Sequence, residues 1–368
     1  MKVDVPIFNN SFFSNKHNLK KLLLKFNNPQ DNLEVINIVG TNGKGSTSTA
    51  LNAQLMFNNK KVGLFISPAF FEHNERIQIN SIPITDEIIY KYIDCYKKDW
   101  EEYNLNFFEI FLFIAIFYFV DNKIDIAVIE AGIGGARDCT SIFQNQKAVL
   151  LTSVSLDHTE ILGNSIKQII ENKVGILKAN KKIYCANSNF KYLNIIKKLI
   201  TADQLIICDL YNKILDKNQQ DNLGIVVKYC LDNNYKINTE ILEKQKLIGR
   251  YMKLRDEPLF LIDGAHNIDG VKKLFSNLKP IENKNLIYVF GTSIKKDFNS
   301  MINFFKENNL KVHLTNFEHD KSWNISEIDY PYKIDNWKQF LKNNFSQNII
   351  VFGSLYFIPL VYNFYYTL

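Results

Sequence analysis

Residues 35–47 read VINIVGTNGKGST and carry the most informative pattern of the chain. The first five residues form a short β-branched run that predicts a strand, and a glycine-rich turn ends it. Residues 48–58 then carry helix-forming side chains, with Leu51 and Leu55 four positions apart. Glycines let backbone N–H groups turn inward around phosphate oxygens, and the N-terminus of the following helix favours anions. Strand, glycine-rich loop and helix together predict a phosphate-binding unit.

The residue types of this loop predict that the bound phosphates belong to ATP. Lys44 offers a positive charge to the β- and γ-phosphates, and a nearby hydroxyl can contact Mg²⁺. The other predicted nucleotide contacts are its neighbours in the loop: Thr41, Asn42, Gly43, Gly45, Ser46 and Thr47. The spacing departs from G-x-x-x-x-G-K-[ST], because the loop is shorter before Gly43 and a glycine follows Lys44. A glycine-rich turn without a ligand is the alternative.

Outward from the loop, strand and helix patterns alternate, which predicts an α/β fold with a mainly parallel sheet covered on both faces. Around the loop, we predict strands at 62–66, 124–129 and 148–153, and helices at 19–26, 86–100, 108–120 and 165–177. A second series follows, with strands at 259–262, 286–290, 311–314 and 349–352, and helices at 267–278 and 298–308. We therefore expect two domains, 1–247 and 250–368.

Composition limits the class of protein. A chain of 368 residues is long for a single core, which agrees with two domains. The most apolar run, 111–120, is far shorter than the roughly 20 residues that a membrane helix needs, and residues 1–10 lack a signal-peptide pattern. The net charge of +6 is spread along the chain, and the five cysteines have no paired spacing. We expect a cytoplasmic protein with reduced thiols that binds neither membranes nor nucleic acid.

The loop GTNGKGST resembles the nucleotide loop of the Mur ligase superfamily, and specifically that of the folylpolyglutamate synthase/dihydrofolate synthase family. Further segments resemble that family in order along the chain: SP (67–68), NERI (74–77), NFFE (106–109), VIEAGIGG (128–135), LDHTEILG (156–163), ENKVGILK (171–178), DGAHN (263–267) and FGSLY (352–356). Together these segments span nearly the whole chain, which makes the resemblance specific.

The resemblance implies a Mur-ligase-like P-loop ATPase domain followed by a smaller, Rossmann-like glutamate-ligase domain. It also implies an ATP-dependent ligase that adds L-glutamate to dihydropteroate, to reduced folate or to both through an acyl phosphate. The implied partners are small molecules, and the implied state is a monomer. A superfamily ligase with another carboxylate acceptor, a P-loop switch or phosphotransferase, and a nucleotide-binding module without catalysis are the alternatives.

The family resemblance implies two Mg²⁺ ions. Glu130 would contact both ions, with Ser67 on one and His158 on the other. Lys173 would be carbamylated and would supply an oxygen ligand to the second ion, which requires a neutral amine and hence a depressed pKa. Taken alone, His158 reads as a structural histidine and Lys173 as a solvated lysine on a helix.

Further site residues are implied for the nucleotide and the acceptor. Asp263 would hold the ribose hydroxyls, His266 would reach the phosphate or acyl phosphate, and Arg250 would clamp the γ-phosphate. Asn222, in a Q-x-x-N pattern before a helix, would contact adenine. Asp263 as a helix N-cap is the alternative reading. The candidates for the pterin ring of the acceptor are Phe108, Asp138 and Cys139.

Several positions depart from the family pattern, and two of them, Cys139 and Asn106, fall in the predicted pterin pocket. Ala69 replaces a histidine, Cys139 an alanine and Asn106 a hydroxyl residue, whereas Ile268 replaces a proline. The arginine of Ala136-Arg137 is shifted by one position. The ATP and metal residues are retained, so the departures bear on the choice of acceptor.

Overall fold

The computed structural model of the chain describes residues 5, 6, 8, 16–214, 217–245, 247–279, 281, 285–293 and 298–368, without the side chains of 217, 218 and 327. The chain divides into two compact units, Met1–Gln245 and Lys246–Leu368. Each unit is built on a mostly parallel sheet, which confirms the predicted α/β class. The domain bounds 1–247 and 250–368 stay a prediction.

The sheet of the first unit has the strand order β4-β3-β2-β5-β1-β6-β7-β8. Its strands are β1 Val35–Val39, β2 Val62–Phe65, β3 Ile77–Ile79, β4 Ile82–Pro83, β5 Ile126–Glu130, β6 Gln146–Leu151, β7 Lys182–Cys185 and β8 Leu205–Ile207. Strands β2, β5, β1, β6, β7 and β8 pair in parallel, whereas β3 pairs antiparallel with both β2 and β4. All five residues of β1 and of β5 are buried, as expected for strands covered on both faces.

Helices surround this sheet: α1 Lys16–Lys25, α2 Lys44–Phe57, α3 Asp86–Glu102, α4 Phe107–Asp121, α5 Thr159–Leu162, α6 Ile166–Val174, α7 Leu193–Ile196, α8 Lys217–Asp232 and α9 Thr239–Lys244. One apolar core joins α1, α3 and α4 to the strands, and a second joins α6 and α7 to β6 and β7. Helix α4 is apolar nearly all round and starts at a capping box, in which Asn106 and Glu109 bond each other's backbone N–H groups.

The second unit has the strand order β13-β12-β11-β14-β10-β9. Its strands are β9 Met252–Arg255, β10 Phe260–Asp263, β11 Leu286–Gly291, β12 Val312–Thr315, β13 Lys333–Ile334 and β14 Asn348–Gly353. Its helices are α10 Ile268–Leu278, α11 Phe298–Glu307, α12 Trp337–Asn343 and α13 Ile358–Tyr365. Strand β9 pairs antiparallel with β10, and the other pairs are parallel. Its core packs β10, β11, β12 and β14 against α10 and α11.

Every strand and helix predicted in both series is present, but some of the bounds differ. Helix α2 starts at Lys44 and not at residue 48, so the last residues of the glycine-rich segment form its first turn. Gln219 and Asn222 were expected before a helix, and they lie inside α8. In the part of the chain that the structure describes, no helix is both long and apolar enough to cross a membrane.

None of the five cysteines, all of which lie in the described ranges, forms a disulfide. Cys95 is exposed on α3, whereas Cys139, Cys185, Cys208 and Cys230 are buried. Burial raises the pKa of the Cys185 and Cys230 thiols to about 12 and that of Cys208 further still. The four buried cysteines therefore act as small apolar side chains.

Candidate active site

The glycine-rich loop leaves the end of β1 and is fixed to the chain that follows β6. The Thr41 N–H donates to Ser153 O at 2.7 Å, and the Thr41 hydroxyl donates to Ser155 O at 3.0 Å. A side chain at Gly40 would overlap the Thr152 hydroxyl, so glycine is required by the close packing of these two segments. The neighbouring parallel strands β5, β1 and β6 bring Glu130, this loop and Ser153 to one edge of the sheet. Ligands of such sheets bind outside the carboxyl ends of the strands.

The start of α2 presents its backbone N–H groups beside this loop. Gly43 precedes the helix with φ 92°, and Lys44 folds back so that its ammonium donates to Thr41 O at 3.3 Å. Ser46 is half-buried, and Thr47 is buried with a hydroxyl that has no hydrogen-bond partner among the described residues. A helix N-terminus with an adjacent lysine favours the phosphates of a nucleotide.

Asn222 lies directly against the turn at Gly43. A side chain on that glycine would overlap the Asn222 Oδ1, and the Asn222 amide donates to Gln219 Oε1 at 3.0 Å. Asn222 is buried in the second turn of α8. The contact brings α8 to the nucleotide loop, while adenine recognition by Asn222 stays a prediction.

Lys173 is buried on α6 and contacts the first residue of the loop. Its ammonium donates to Gly40 O at 2.6 Å, and the residue is 2% exposed. Burial, assisted by the positive charge of Lys44, lowers the pKa of Lys173 to about 7, while Asp157 and Asp138 act in the opposite direction. The reading of Lys173 as a solvated lysine is therefore wrong.

Glu130 ends β5 with a buried carboxylate that is 3% exposed. Its Oε2 accepts a hydrogen bond from the Ser67 N–H at 3.2 Å, so the chain after β2 is tied to the end of β5. A buried carboxylate requires partners that stabilise its charge. The Ser67 contact supplies one, and it brings together two of the predicted metal ligands.

His158 stands just before α5 in a left-handed backbone conformation, with φ 49° and ψ 44°. Its Nε2 lies 4.0 Å from Asp157 Oδ1, and its Nδ1 lies 3.8 Å from Glu160 Oε1. About a quarter of the side chain is exposed, which leaves it accessible to a ligand. A non-glycine residue with positive φ at such a place is uncommon and is typical of functional loops.

The donors at this edge fit Mg²⁺ held jointly with a nucleotide. Among the described residues, no group of three or more His, Cys, Asp or Glu could hold a metal ion. The predicted set contains only two such residues, Glu130 and His158, beside the hydroxyl of Ser67. Mg²⁺ is commonly bound by one or two carboxylates together with phosphates and water, so a small set of this kind suits it.

The three acceptor candidates differ in what surrounds them. The Asp138 carboxylate accepts from Ile133 N and from the backbone and hydroxyl of Thr140, and burial raises its pKa against these hydrogen bonds. The Phe108 ring lies against Gly132, with the Phe65 ring at 5.4 Å. Cys139 is fully buried in the apolar core.

A buried amide network that the sequence reasoning missed supports this segment. Asn37 of β1 donates to Thr140 O at 3.2 Å, and Gln146 of β6 donates to Asn37 Oδ1 at 2.7 Å and to Ile176 O at 3.2 Å. Gln146 also accepts from Lys178 N at 2.9 Å. A polar Asn within VINIV was the one available signal, because a buried strand residue of that type needs partners.

In the second unit, the candidates surround Gly264 at the end of β10. The Arg250 guanidinium donates to Gly264 O at 2.8 Å, and His266 Nδ1 lies 2.8 Å from the same oxygen. Asp263 accepts from Tyr251 N at 2.6 Å. The N-cap of α10 is Asn267, which accepts from Gly270 N at 2.8 Å, so the reading of Asp263 as the cap is wrong.

The chain is similar to known proteins over almost its whole length, although no protein-family model matches it. It is 28% identical to a dihydrofolate synthase/folylpolyglutamate synthase of Bacillus subtilis over 92% of both chains. A solved FPGS–AMPPCP–folate complex is 25% identical, with a TM-score of 0.80 over 94% of this chain and 93% of the other. E. coli FolC in complex with ADP is 19% identical and shares the fold, with a TM-score of 0.84 over 97% and 95%.

Proposed function

We propose that this chain, which belongs to the folylpolyglutamate synthase/dihydrofolate synthase family, is an ATP-dependent ligase that adds L-glutamate to dihydropteroate, to reduced folate or to both. The products would be the amide, ADP and phosphate. The observation that carries the proposal is the edge of the first sheet, where Lys173 bonds the first carbonyl of the nucleotide loop and Glu130 ends the adjacent strand. The similarity to a solved complex with an ATP analogue and folate supports it.

The reaction begins with activation of the acceptor, because a carboxylate is a poor electrophile. A carboxylate oxygen attacks the γ-phosphorus of ATP, and the bond from that phosphorus to ADP breaks. The amine nitrogen of glutamate then attacks the acyl carbon, loses a proton and displaces phosphate. Lys44 and the N-terminus of α2 would bind and orient the phosphates, which is most of what phosphoryl transfer needs from a protein.

Ser67, Glu130 and His158 are the residues that we assign to Mg²⁺, which would neutralise charge on the phosphate oxygens. Lys173 adds an oxygen donor only if its amine reacts with CO₂ to form a carbamate and release a proton. A pKa of about 7 leaves a large neutral fraction of this amine at neutral pH, as that reaction requires. A carbamate carbon seen by ¹³C NMR under labelled CO₂ in the wild type, and absent in Lys173→Met, is the expected result.

The remaining assignments concern the nucleotide and the acceptor. We propose that Arg250 contacts the γ-phosphate and that Asp263 contacts the ribose. His266 would contact the phosphate or acyl phosphate, and Asn222 would contact the adenine. Phe108 and Asp138 would contact the pterin ring by stacking and hydrogen bonding. Cys139 is buried in the apolar core, so it would shape the pterin pocket without a hydrogen bond to the pterin ring. We propose a monomer, which sedimentation can test.

Glutamate-dependent phosphate release from Mg·ATP tests the function, with dihydropteroate and tetrahydrofolate offered in separate reactions. Phosphate release with either acceptor is expected, together with a product one glutamate heavier. The reaction with dihydropteroate reports dihydrofolate synthase activity, and the reaction with tetrahydrofolate reports folylpolyglutamate synthase activity. Release without any amide product would favour a phosphotransferase. ATP binding with no turnover of either acceptor would contradict the folate assignment.

A further inference from the structure

The NERI segment, residues 74–77, carries no role in the function proposed above. It closes a loop that begins at Ser67, two residues after the end of β2, and ends where β3 starts at Ile77. The Ile66 N–H donates to Arg76 O at 3.0 Å, which joins the two ends of the loop. The ten residues 67–76 are called the clamp loop below.

The carboxylate of Glu75 fills the inside of the clamp loop. Its Oε2 accepts from Phe70 N at 2.7 Å, and its Oε1 accepts from Phe71 N at 3.0 Å and from Glu72 N at 3.1 Å. Three consecutive backbone N–H groups thus converge on one anion, an arrangement that elsewhere binds phosphate or other anions. Here the anion is a side chain of the same loop.

The clamp loop is also fixed from outside, against the first turns of α4. The Arg76 guanidinium lies 5.3 Å from the Phe107 ring centre and 5.7 Å from that of Phe111. The His73 ring centre lies 4.9 Å from that of Phe107. Cation–π and ring–ring contacts at these distances are attractive, so they hold the clamp loop against α4.

The first residue of the clamp loop is the one that reaches the candidate active site. Ser67 N donates to Glu130 Oε2 at 3.2 Å, so the position of Ser67 depends on the backbone of the loop behind it. Phe70, the first residue that Glu75 bonds, is only three positions further along the chain. Without an internal acceptor, three N–H groups would lose their partner and the backbone would seek other conformations.

We propose that Glu75 is a positioning residue, whose carboxylate orders the clamp loop and thereby holds Ser67 against Glu130. The proposal rests on the proposed function for the role of Ser67 and Glu130, but the ordering of the loop is independent of any substrate. Glu75 itself bonds only backbone groups of its own loop in the contacts described above, so it acts through Ser67.

Limited proteolysis of the ligand-free chain tests the ordering. Chymotrypsin cuts after phenylalanine, so Glu75→Ala should be cut after Phe70 or Phe71 at least about tenfold faster than the wild type, as followed by fragment masses. Added formate should slow this cleavage by occupying the vacated N–H groups, and Glu75→Gln should be intermediate. Glu101→Ala, which removes an exposed carboxylate at the end of α3, is the control and should be cut like the wild type.

Ligase assays on the same variants test the positioning. Glu75→Ala should need about tenfold more Mg²⁺ for half-maximal activity, with formate restoring the wild-type value, because Ser67 is no longer held in place. If Glu75→Ala is cut at 70–71 no faster than the wild type, or faster but without protection by formate, then Glu75 does not order the clamp loop. If formate protects Glu75→Ala from cleavage but does not lower its Mg²⁺ requirement to the wild-type value, the link to Ser67 is wrong. A wild-type chain without ligase activity would instead count against the proposed function.

Discussion

Each unit presents candidate residues near the carboxyl ends of strands in its own mostly parallel sheet, and the charged groups of the two sets differ in burial. In the first unit, Glu130, Asp138 and Lys173 are at most 3% exposed. In the second unit, Arg250 and Asp263 are half-buried and bond backbone groups at one edge of the sheet, where β9 starts and β10 ends.

This difference in burial indicates a difference in what each edge can do. Charges in a water-excluded site act strongly on developing charge, but keeping them there costs stability. Half-exposed groups recognise a ligand at less cost and with weaker electrostatic effect. The burial of the first set agrees with the phosphoryl transfer proposed for that edge, and the partial exposure of the second agrees with the ligand contacts proposed for Arg250 and Asp263.

The largest effects are expected at the candidate site of the first unit. Lys44→Ala and Glu130→Ala should each lower amide formation by about 10⁴-fold, because each removes a charge that neutralises or organises the transferred phosphate. Initial rates of product formation measure this effect, with circular dichroism to verify the fold. Lys98→Ala, at an exposed position on α3, is the control. Near-normal rates in either site variant would remove the functional distinction between the edges.

The cost of burying Lys173 should be visible as a pH dependence of stability. In the unfolded chain this lysine titrates at its ordinary value of 10.5, and in the folded chain at about 7. Between these values the unfolded chain binds one more proton, so the free energy of unfolding rises with pH. Lys173→Met should therefore be more stable than the wild type below pH 7, by on the order of 4 kcal/mol, and lose this advantage towards pH 10.

Urea unfolding of Lys173→Met and the wild type at several pH values measures this difference. An advantage of the variant that is independent of pH would contradict the depressed pKa. The same variant should have no ligase activity if the carbamate is required. Active Lys173→Met would therefore leave the buried lysine with a structural role alone.

The amide network of Asn37 and Gln146 should contribute to the stability of the first unit. Asn37→Leu should lower the free energy of unfolding of the first unit by about 1–3 kcal/mol, since Gln146 and Thr140 lose buried partners. Hydrogen exchange of the β1 amides measures the effect. The β14 amides of the second unit serve as an internal control, and equal acceleration in both units would show that the network is not local to the first.

The smallest effect is expected at the half-exposed edge. Arg250→Lys should raise the KM for ATP about tenfold, because a lysine cannot donate to Gly264 O and also present a planar pair of donors to phosphate. Steady-state kinetics at saturating acceptor measure it. A thousandfold loss of kcat would mean that Arg250 acts on the transition state as strongly as the groups of the first unit.

Much of this arrangement is predictable from the sequence, because strong patterns encode it. The run VINIV, the glycines after it and the family segments predict the central strands and the loop, and both central sheets are confirmed. The edge strands β4 and β13 are two residues long each, too short to show any period. The start of α8 was expected after Asn222, too late in the chain, because its polar first turn, KNQQ, has the composition of a loop.

The environment of the site residues was harder to predict than their identity. Lys173 follows Ile169 and Ile170 by four and three positions, so it lies on the apolar face of α6. A lysine on such a face can still extend its ammonium into water, so its burial depends on long-range packing. The partners of Asn37 and Gln146 are likewise distant in the chain. The cap of α10 shows the same limit, since Asp263 and Asn267 are both good capping residues and only the backbone path selects Asn267.

The distribution of thiols makes the natural chain ready for single-site labelling. Of its five cysteines, only Cys95 is exposed, and the thiolate that reacts with maleimides is suppressed at Cys185, Cys208 and Cys230 by their raised pKa. A fluorophore at neutral pH should therefore attach to α3 alone. The first unit can thus carry an optical reporter without any engineered cysteine, far along the chain from the nucleotide loop.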